Sequence, residues 1–196
     1  MSLASASEGN GETRGASDRI CAFVDAYNLP MVMLNLLQAL PNTSLWDRLQ
    51  QENRLTETRA SADMIEVSFN FLPTRPAAEI VAEYIRLVDC LYEPAKYLAR
   101  SYRYYLAMRP TRAAAGNHQN PEHGSQKVQT SHLRREDLLA LLKLCWRQGV
   151  VAGYRGQFWR QLIGVFRQNP SRITKYLNQC AVGENLFRIR ETLLAR

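Results

Sequence analysis

Ile80-Val81-Ala82-Glu83-Tyr84-Ile85-Arg86-Leu87-Val88-Asp89-Cys90-Leu91, followed at once by Tyr92-Glu93-Pro94, decides the class of fold. Ile80, Val81, Tyr84, Leu87, Val88 and Leu91 return every three or four residues, the spacing that lines one side of an α-helix. Pro76 can open that helix from its first turn. Pro94 lacks a backbone donor, so it breaks or kinks the helix before a second one begins.

Working downstream, the second helix reaches about residue 108 and carries Tyr97, Tyr102, Tyr104 and Tyr105. Residues 110–131 are rich in Ala, Gly, Asn, His and Gln, have no period, and predict an exposed or disordered loop. A strong amphipathic helix is predicted over 133–146, with Leu138, Leu141, Leu142, Cys145 and Trp146 on one face. Gly149 and Gly153 punctuate, and a fourth helix follows with Phe158, Trp159, Leu162, Ile163 and Phe166. Asn169-Pro170-Ser171 restarts a fifth, with Ile173, Tyr176, Leu177 and Cys180; Gly183 is expected to stop it before a short last helix over 186–194. The region 74–196 therefore reads as a helical domain, and the fold class as mainly α.

Working upstream, residues 1–16 are Ser/Gly/Glu-rich and predict a disordered lead. Ser17-Asp18 offers an N-cap, and Ile20, Phe23, Val24 and Tyr27 supply a helical stripe that Asn28-Leu29-Pro30 ends. Met31-Val32-Met33-Leu34-Asn35-Leu36-Leu37 is an unbroken apolar run, the pattern of a strand buried on both faces in a parallel sheet. The polar-tipped loop 38–43 then lies where α/β folds bind ligands. Thr43 or Ser44 can cap the next helix, with Asp47 in its first turn and Leu45, Trp46 and Leu49 on its apolar face. Residues 56–64 read as a loop, and 65–72, with Val67, Phe69 and Phe71 alternating, as a short strand closed by Pro73. The stretch 17–73 thus looks like a helix with one or two strands.

The chain has 196 residues and a net charge of +7, unevenly spread. Residues 1–73 hold five Arg against nine acids, while 74–196 hold 20 cations, 16 of them Arg, against nine acids. A basic half can bind nucleic acid or another polyanion, or can dock an acidic protein through an Arg-rich face; the favoured reading has these Arg line helix faces and pair with a partner's acids. In Arg100-Ser101-Tyr102-Arg103-Tyr104-Tyr105 the favoured reading packs Tyr102 and Tyr105 inward and leaves Arg100 and Arg103 in water.

Cys21, Cys90, Cys145 and Cys180 match no metal or redox spacing, so they are expected to be free apolar thiols of a cytoplasmic protein. No apolar run approaches the ~20 residues of a membrane span, and residues 1–15 lack the apolar core of a secretory signal. His118 and His123 are five apart in the loop, with His132 beyond, so no metal site is expected. No nucleophile elbow, phosphate-cradling Gly loop or acid–base carboxylate pair is present, and no catalytic residue is assigned.

Three segments, however, resemble one family in order and spacing. Leu37-Gln38-Ala39-Leu40-Pro41-Asn42-Thr43-Ser44-Leu45-Trp46-Asp47-Arg48-Leu49, with Glu52-Asn53-Arg54-Leu55, resembles a Leu-x-Ala-Leu-Pro-Gly-Thr-x-Leu-x-x-Arg-Leu … Glu-Gly-Arg-Leu pattern of cobalamin-dependent radical S-adenosylmethionine (radical SAM) proteins. Asn70-Phe71-Leu72-Pro73 is similar to their Asn-Phe-Ile-Pro, and Tyr92-Glu93-Pro94 with Tyr97 and Arg100 to their Tyr-x-Pro-x-x-Tyr-x-x-Arg. Residues 133–187 resemble their C-terminal helical region more loosely. Such proteins are often described as magnesium-protoporphyrin monomethyl ester cyclase-like or hopanoid methylase-like. Asn42 and Asn53 stand where the family has Gly, and both Asn tolerate the left-handed backbone these turns need.

The resemblance implies a C-terminal piece: 17–73 the end of a radical SAM barrel, 74–196 a helical domain on the substrate side. It implies a 4Fe-4S cluster, S-adenosylmethionine and cobalamin for the whole enzyme, but none in this chain, which lacks the Cys-x-x-x-Cys-x-x-Cys motif. The chain alone would then be inactive, and its partners would be the cobalamin-binding and radical SAM domains. Gln38, Asn42, Thr43 and Asn70 become the candidate contacts to S-adenosylmethionine or substrate.

Overall fold

A computed structural model describes residues 15–56, 64–111 and 135–195. The three histidines, most of the expected lead and most of both expected loops lie outside them. Among the described residues there are seven α-helices and no strand ladder: α1 (Ala16–Ala26), α2 (Ser44–Gln51), α3 (Ala77–Tyr92), α4 (Pro94–Ala107), α5 (Arg135–Trp146), α6 (Arg155–Gln168) and α7 (Ile173–Leu194). The mainly α class is as the periodicity predicts. The chain packs as two units, one holding 31–93 with α1 and the last residues from 186 on, the other holding 28–30 and 94–185.

In the first unit α3 is the spine. Of its expected stripe Ile80, Tyr84, Leu87, Val88 and Leu91 are buried, Val81 is half-buried, and Tyr92 joins them. Glu93 leaves helical geometry ahead of Pro94, which is how a proline separates two helices. Helix α1 packs along α3, but only Val24 of its expected stripe is deeply buried; Phe23 and Tyr27 are exposed, their rings in tilted contact with each other. The expectation of four free thiols is corrected here: Cys21 of α1 and Cys90 of α3 form a disulfide, with Cα atoms 6.5 Å apart. Side-by-side helices bring together residues whose spacing in sequence gave no sign of it. Arg190, near the end of α7, donates to Asp89 of α3 at 2.8 Å.

The apolar run 31–37 is extended, yet it is not a strand buried on both faces. Leu34 and Leu36 are buried while Met31 and Met33 are exposed. Two tyrosines of α3 reach the segment: the Tyr92 hydroxyl donates to the Val32 carbonyl, and that of Tyr84 to the carbonyls of Leu34 and Met64. Side-chain donors thus satisfy carbonyls just ahead of Asn35, which itself makes a backbone β-bridge. Likewise, the expected strand over 65–72 appears only as one antiparallel bridge, Leu55 to Phe71.

Glu83 on α3 is buried and takes both ends of the Arg75 guanidinium, at 3.0 and 3.2 Å. That hydrogen-bonded pairing holds the Glu83 carboxyl below the usual range against the opposing effect of burial. A lowered folded-state pKa gives stability that is present above the unfolded value and lost as pH falls through the folded one. Urea unfolding midpoints should therefore drop between about pH 5 and 3, and Glu83→Gln should flatten that slope while costing about 1–2 kcal/mol at pH 7.

In the second unit, Tyr97, Leu98, Tyr105, Leu144, Phe158, Val165, Tyr176 and Cys180 form the core. Three expectations change. Arg100 is buried, not solvated, because it sits one turn from Tyr97 on the inward stripe; Arg103 does face water and bonds Asn28. Among the described side chains of α5, Leu144 is deeply buried, while Leu142 and Trp146 are exposed. Gly183 does not stop a helix: it is buried inside the continuous 22-residue α7. Between α5 and α6, Arg147–Val151 forms a π-helical turn. The Trp159 indole donates to the Gly149 carbonyl at 2.8 Å, and a Cβ at residue 149 would lie 2.8 Å from that ring. Asn169 ends α6 and donates to the Tyr105 and Met108 carbonyls, satisfying the last turn of α4.

Candidate functional site

All four candidate residues fall in the first unit, around a small cluster of Ala39, Leu49 and Phe71. Helix α2 begins as its sequence requires. Thr43 has an extended backbone, and its Oγ1 accepts from the Trp46 amide at 3.3 Å while donating to the Leu40 carbonyl at 2.7 Å. Asp47 sits in the first turn, where a negative charge meets the positive end of the helix. Leu49 is fully buried, with Leu45 and Trp46 against it. Asn42 has φ 63° and Asn53 φ 54°, so both take the left-handed conformation that their glycine counterparts would supply.

Asn70 is the organising residue. Its Oδ1 accepts from the Ala39 amide at 2.9 Å, and its Nδ2 donates to the Ala39 carbonyl at 2.7 Å. One side chain therefore satisfies both backbone groups of a residue with no solvent exposure. Its own carbonyl accepts from the Thr56 amide at 3.0 Å, and the Leu72 amide donates to the Arg54 carbonyl at 2.7 Å. Arg54 closes the same junction with Nε and Nη2 on the Leu72 carbonyl and Nη1 on Glu52.

Gln38 lies next to this clamp. Its Nε2 donates to the Ser68 carbonyl at 2.7 Å, but its Oε1 is buried and has no partner. The Ser68 hydroxyl is also buried and without a partner. Orphaned polar oxygens on two residues joined by a side-chain-to-backbone bond are costly in a finished interior. They are what a site looks like when its donor or acceptor comes from a ligand or another segment. Ser68 was not singled out from the sequence. The signal was there: if Val67, Phe69 and Phe71 point one way, Ser68 and Asn70 point the other.

The structure thus joins Gln38 and Asn70 through the 68–70 backbone. Asn42 and Thr43 are exposed, in the turn and helix cap. Among the described residues no three His, Cys, Asp or Glu side chains converge on one point. Cys21 and Cys90 are bonded to each other. Burial pushes the Cys180 thiol up to about 12 and raises that of Cys145, whereas cluster ligation needs thiolates. No described helix is long and apolar enough to cross a membrane.

Comparison with known proteins agrees with the motifs. Residues 43–196 match a family described as a domain of unknown function, DUF4070. The chain is 36% identical over 184 residues, 93% of its length, to a Synechocystis protein named uncharacterized methyltransferase sll1242. It is 30% identical over 149 residues, 76% of its length, to the hopanoid C-2 methylase of Rhodopseudomonas palustris. It spans only 32% and 26% of those two proteins. No solved structure matches. Together with the three motifs, these matches show that the chain belongs to the DUF4070 family, as a C-terminal portion of a radical SAM methylase-like protein.

Proposed function

We propose that the chain closes the barrel and covers the substrate side of a cobalamin-dependent radical SAM methylase, and has no activity alone. On this reading 17–73 is the end of the barrel and 74–196 the helical domain, and the partners are the cobalamin-binding and cluster-bearing domains. The similarity to two proteins about three times as long, one named a methyltransferase and the other a methylase, supports it. The single observation that carries the site is the orphaned pair, Gln38 Oε1 and Ser68 Oγ, beside the Asn70 clamp. Gln38 and Ser68 would hydrogen-bond S-adenosylmethionine or substrate, with Asn70 fixing the backbone between them. Asn42 and Thr43 would shape the adjoining turn and remain candidate contacts. The residues of this chain do not fit an iron–sulfur cluster, so no step through one is assigned to them.

Two measurements test this. After reconstitution of the purified chain with iron, sulfide and S-adenosylmethionine, no cluster absorption and no reductive cleavage should appear; either one overturns the inactive-portion reading. Ser68→Ala should leave stability unchanged or raise it by up to about 1 kcal/mol, since the hydroxyl satisfies nothing in the folded chain. A loss above about 1 kcal/mol would make Ser68 a structural residue and remove the site argument.

A further inference from the structure

Helix α6 presents an apolar stripe to solvent. Trp159, Ile163 and Phe166 recur at i, i+4 and i+7, and Phe166 is 64% exposed. On a helical wheel these three span roughly 60°, with the buried Phe158 and Val165 centred roughly 120° away. Arg155 borders the stripe on one side, Arg160 and Arg167 on the other; all three are exposed. On the preceding helix and π turn, Leu142, Trp146, Val150 and Val151 are exposed as well, and so is Lys143.

The charge here is of one sign. From 138 to 183 the sequence holds seven cations and no Asp or Glu. Arg155, Arg160 and Arg167 therefore have no acid in their own stretch, and none forms an ion pair among the described residues. Soluble surfaces normally intersperse both signs and scatter their large apolar residues singly. An apolar stripe with tryptophans, edged by arginines, has the composition of a helix that lies in a lipid headgroup layer. Nucleic acid suits it less well. Ile163, Val150, Val151 and Leu142 offer no π face for a base, whereas acyl chains accept aliphatic groups.

We propose that this face, centred on Trp159, Ile163 and Phe166, docks peripherally on an anionic lipid bilayer, with Arg155, Arg160 and Arg167 on the headgroup phosphates. The proposal is independent of the site at Gln38 and Ser68.

The test uses the whole purified chain with vesicles of phosphatidylcholine, or of phosphatidylcholine and phosphatidylglycerol in equal parts. Expected are co-sedimentation with the anionic vesicles alone, a blue shift of tryptophan emission on binding, and weakening by salt. Arg160→Glu with Arg167→Glu should lower vesicle affinity by at least about tenfold. Ile163→Ser with Phe166→Ser should do the same, with unchanged far-ultraviolet circular dichroism because both side chains are already exposed. Failure to sediment with anionic vesicles, equal binding to neutral ones, or binding that survives the double Ser variant would overturn the proposal. So would an RNA oligonucleotide held more tightly than the anionic vesicles, or self-association that buries the stripe.

Discussion

Asn70→Ala should lower the stability of the chain by about 2–4 kcal/mol, the largest loss expected from any polar residue near the site. The substitution leaves the Ala39 amide and carbonyl, both buried, without the two bonds at 2.9 and 2.7 Å that now satisfy them. Asn70→Asp separates this account from simple loss of packing. An ionised carboxylate can accept from the Ala39 amide but faces the Ala39 carbonyl with a second acceptor. At pH 7 it should therefore destabilise at least as much as Ala. Below about pH 4 the protonated acid regains a donor, and part of the loss should return. Urea unfolding of the two variants at both pH values gives the result. An Asn70→Ala midpoint within about 0.5 kcal/mol of the parent would mean the clamp contributes nothing.

Gly164→Ala carries the next largest effect. Gly164 lies on α6 against Tyr102 of α4, and an added Cβ would sit 2.9 Å from two ring carbons and closer still to the hydroxyl. Alanine itself favours a helix over glycine by about 1 kcal/mol. The clash outweighs that gain, because the ring packs between two helices, and we expect a net loss of about 1–3 kcal/mol. The sign should reverse in a Tyr102→Ala background, where only the helix preference remains. A double-mutant cycle that finds the two changes additive would show that α4 and α6 do not meet through this pair.

The helices were legible because their information is local. The stripe from Ile80 to Leu91, the proline at 94 and the cap at Thr43 each act within a turn or two, and each is found where the spacing puts it. What was not legible depends on partners distant in sequence. Nothing in the run 31–37 says that two tyrosines of α3 take its carbonyls, leaving Met31 and Met33 in solvent. Nothing in the gap of 69 residues between Cys21 and Cys90 says that two helices lie together. On α5 and α6 the helical period is found, but the apolar positions divide between core and solvent: Phe158 is buried, while Leu142 is exposed. Trp146, Ile163 and Phe166 are apolar without being core, and amphipathicity alone does not name the solvent. Of the site, Gln38 and Asn70 were named from the resemblance. Their relation through Ser68 and Ala39 needed coordinates.

The left-handed asparagines at 42 and 53 have a consequence for how this sequence can drift. A positive φ excludes β-branched side chains and tolerates little beyond Gly, Asn and Asp. Each turn is therefore a narrow passage in sequence space. A lineage can step between Asn and Gly there for a few tenths of a kcal/mol, trading backbone entropy against strain, but a single step to Val, Ile or Thr would be punished. Asparagine here and glycine in the resembling pattern are neighbouring solutions of one geometric constraint. Mutational scanning of positions 42 and 53 should thus show two short tolerated alphabets, glycine and the short polar residues that accept a left-handed backbone.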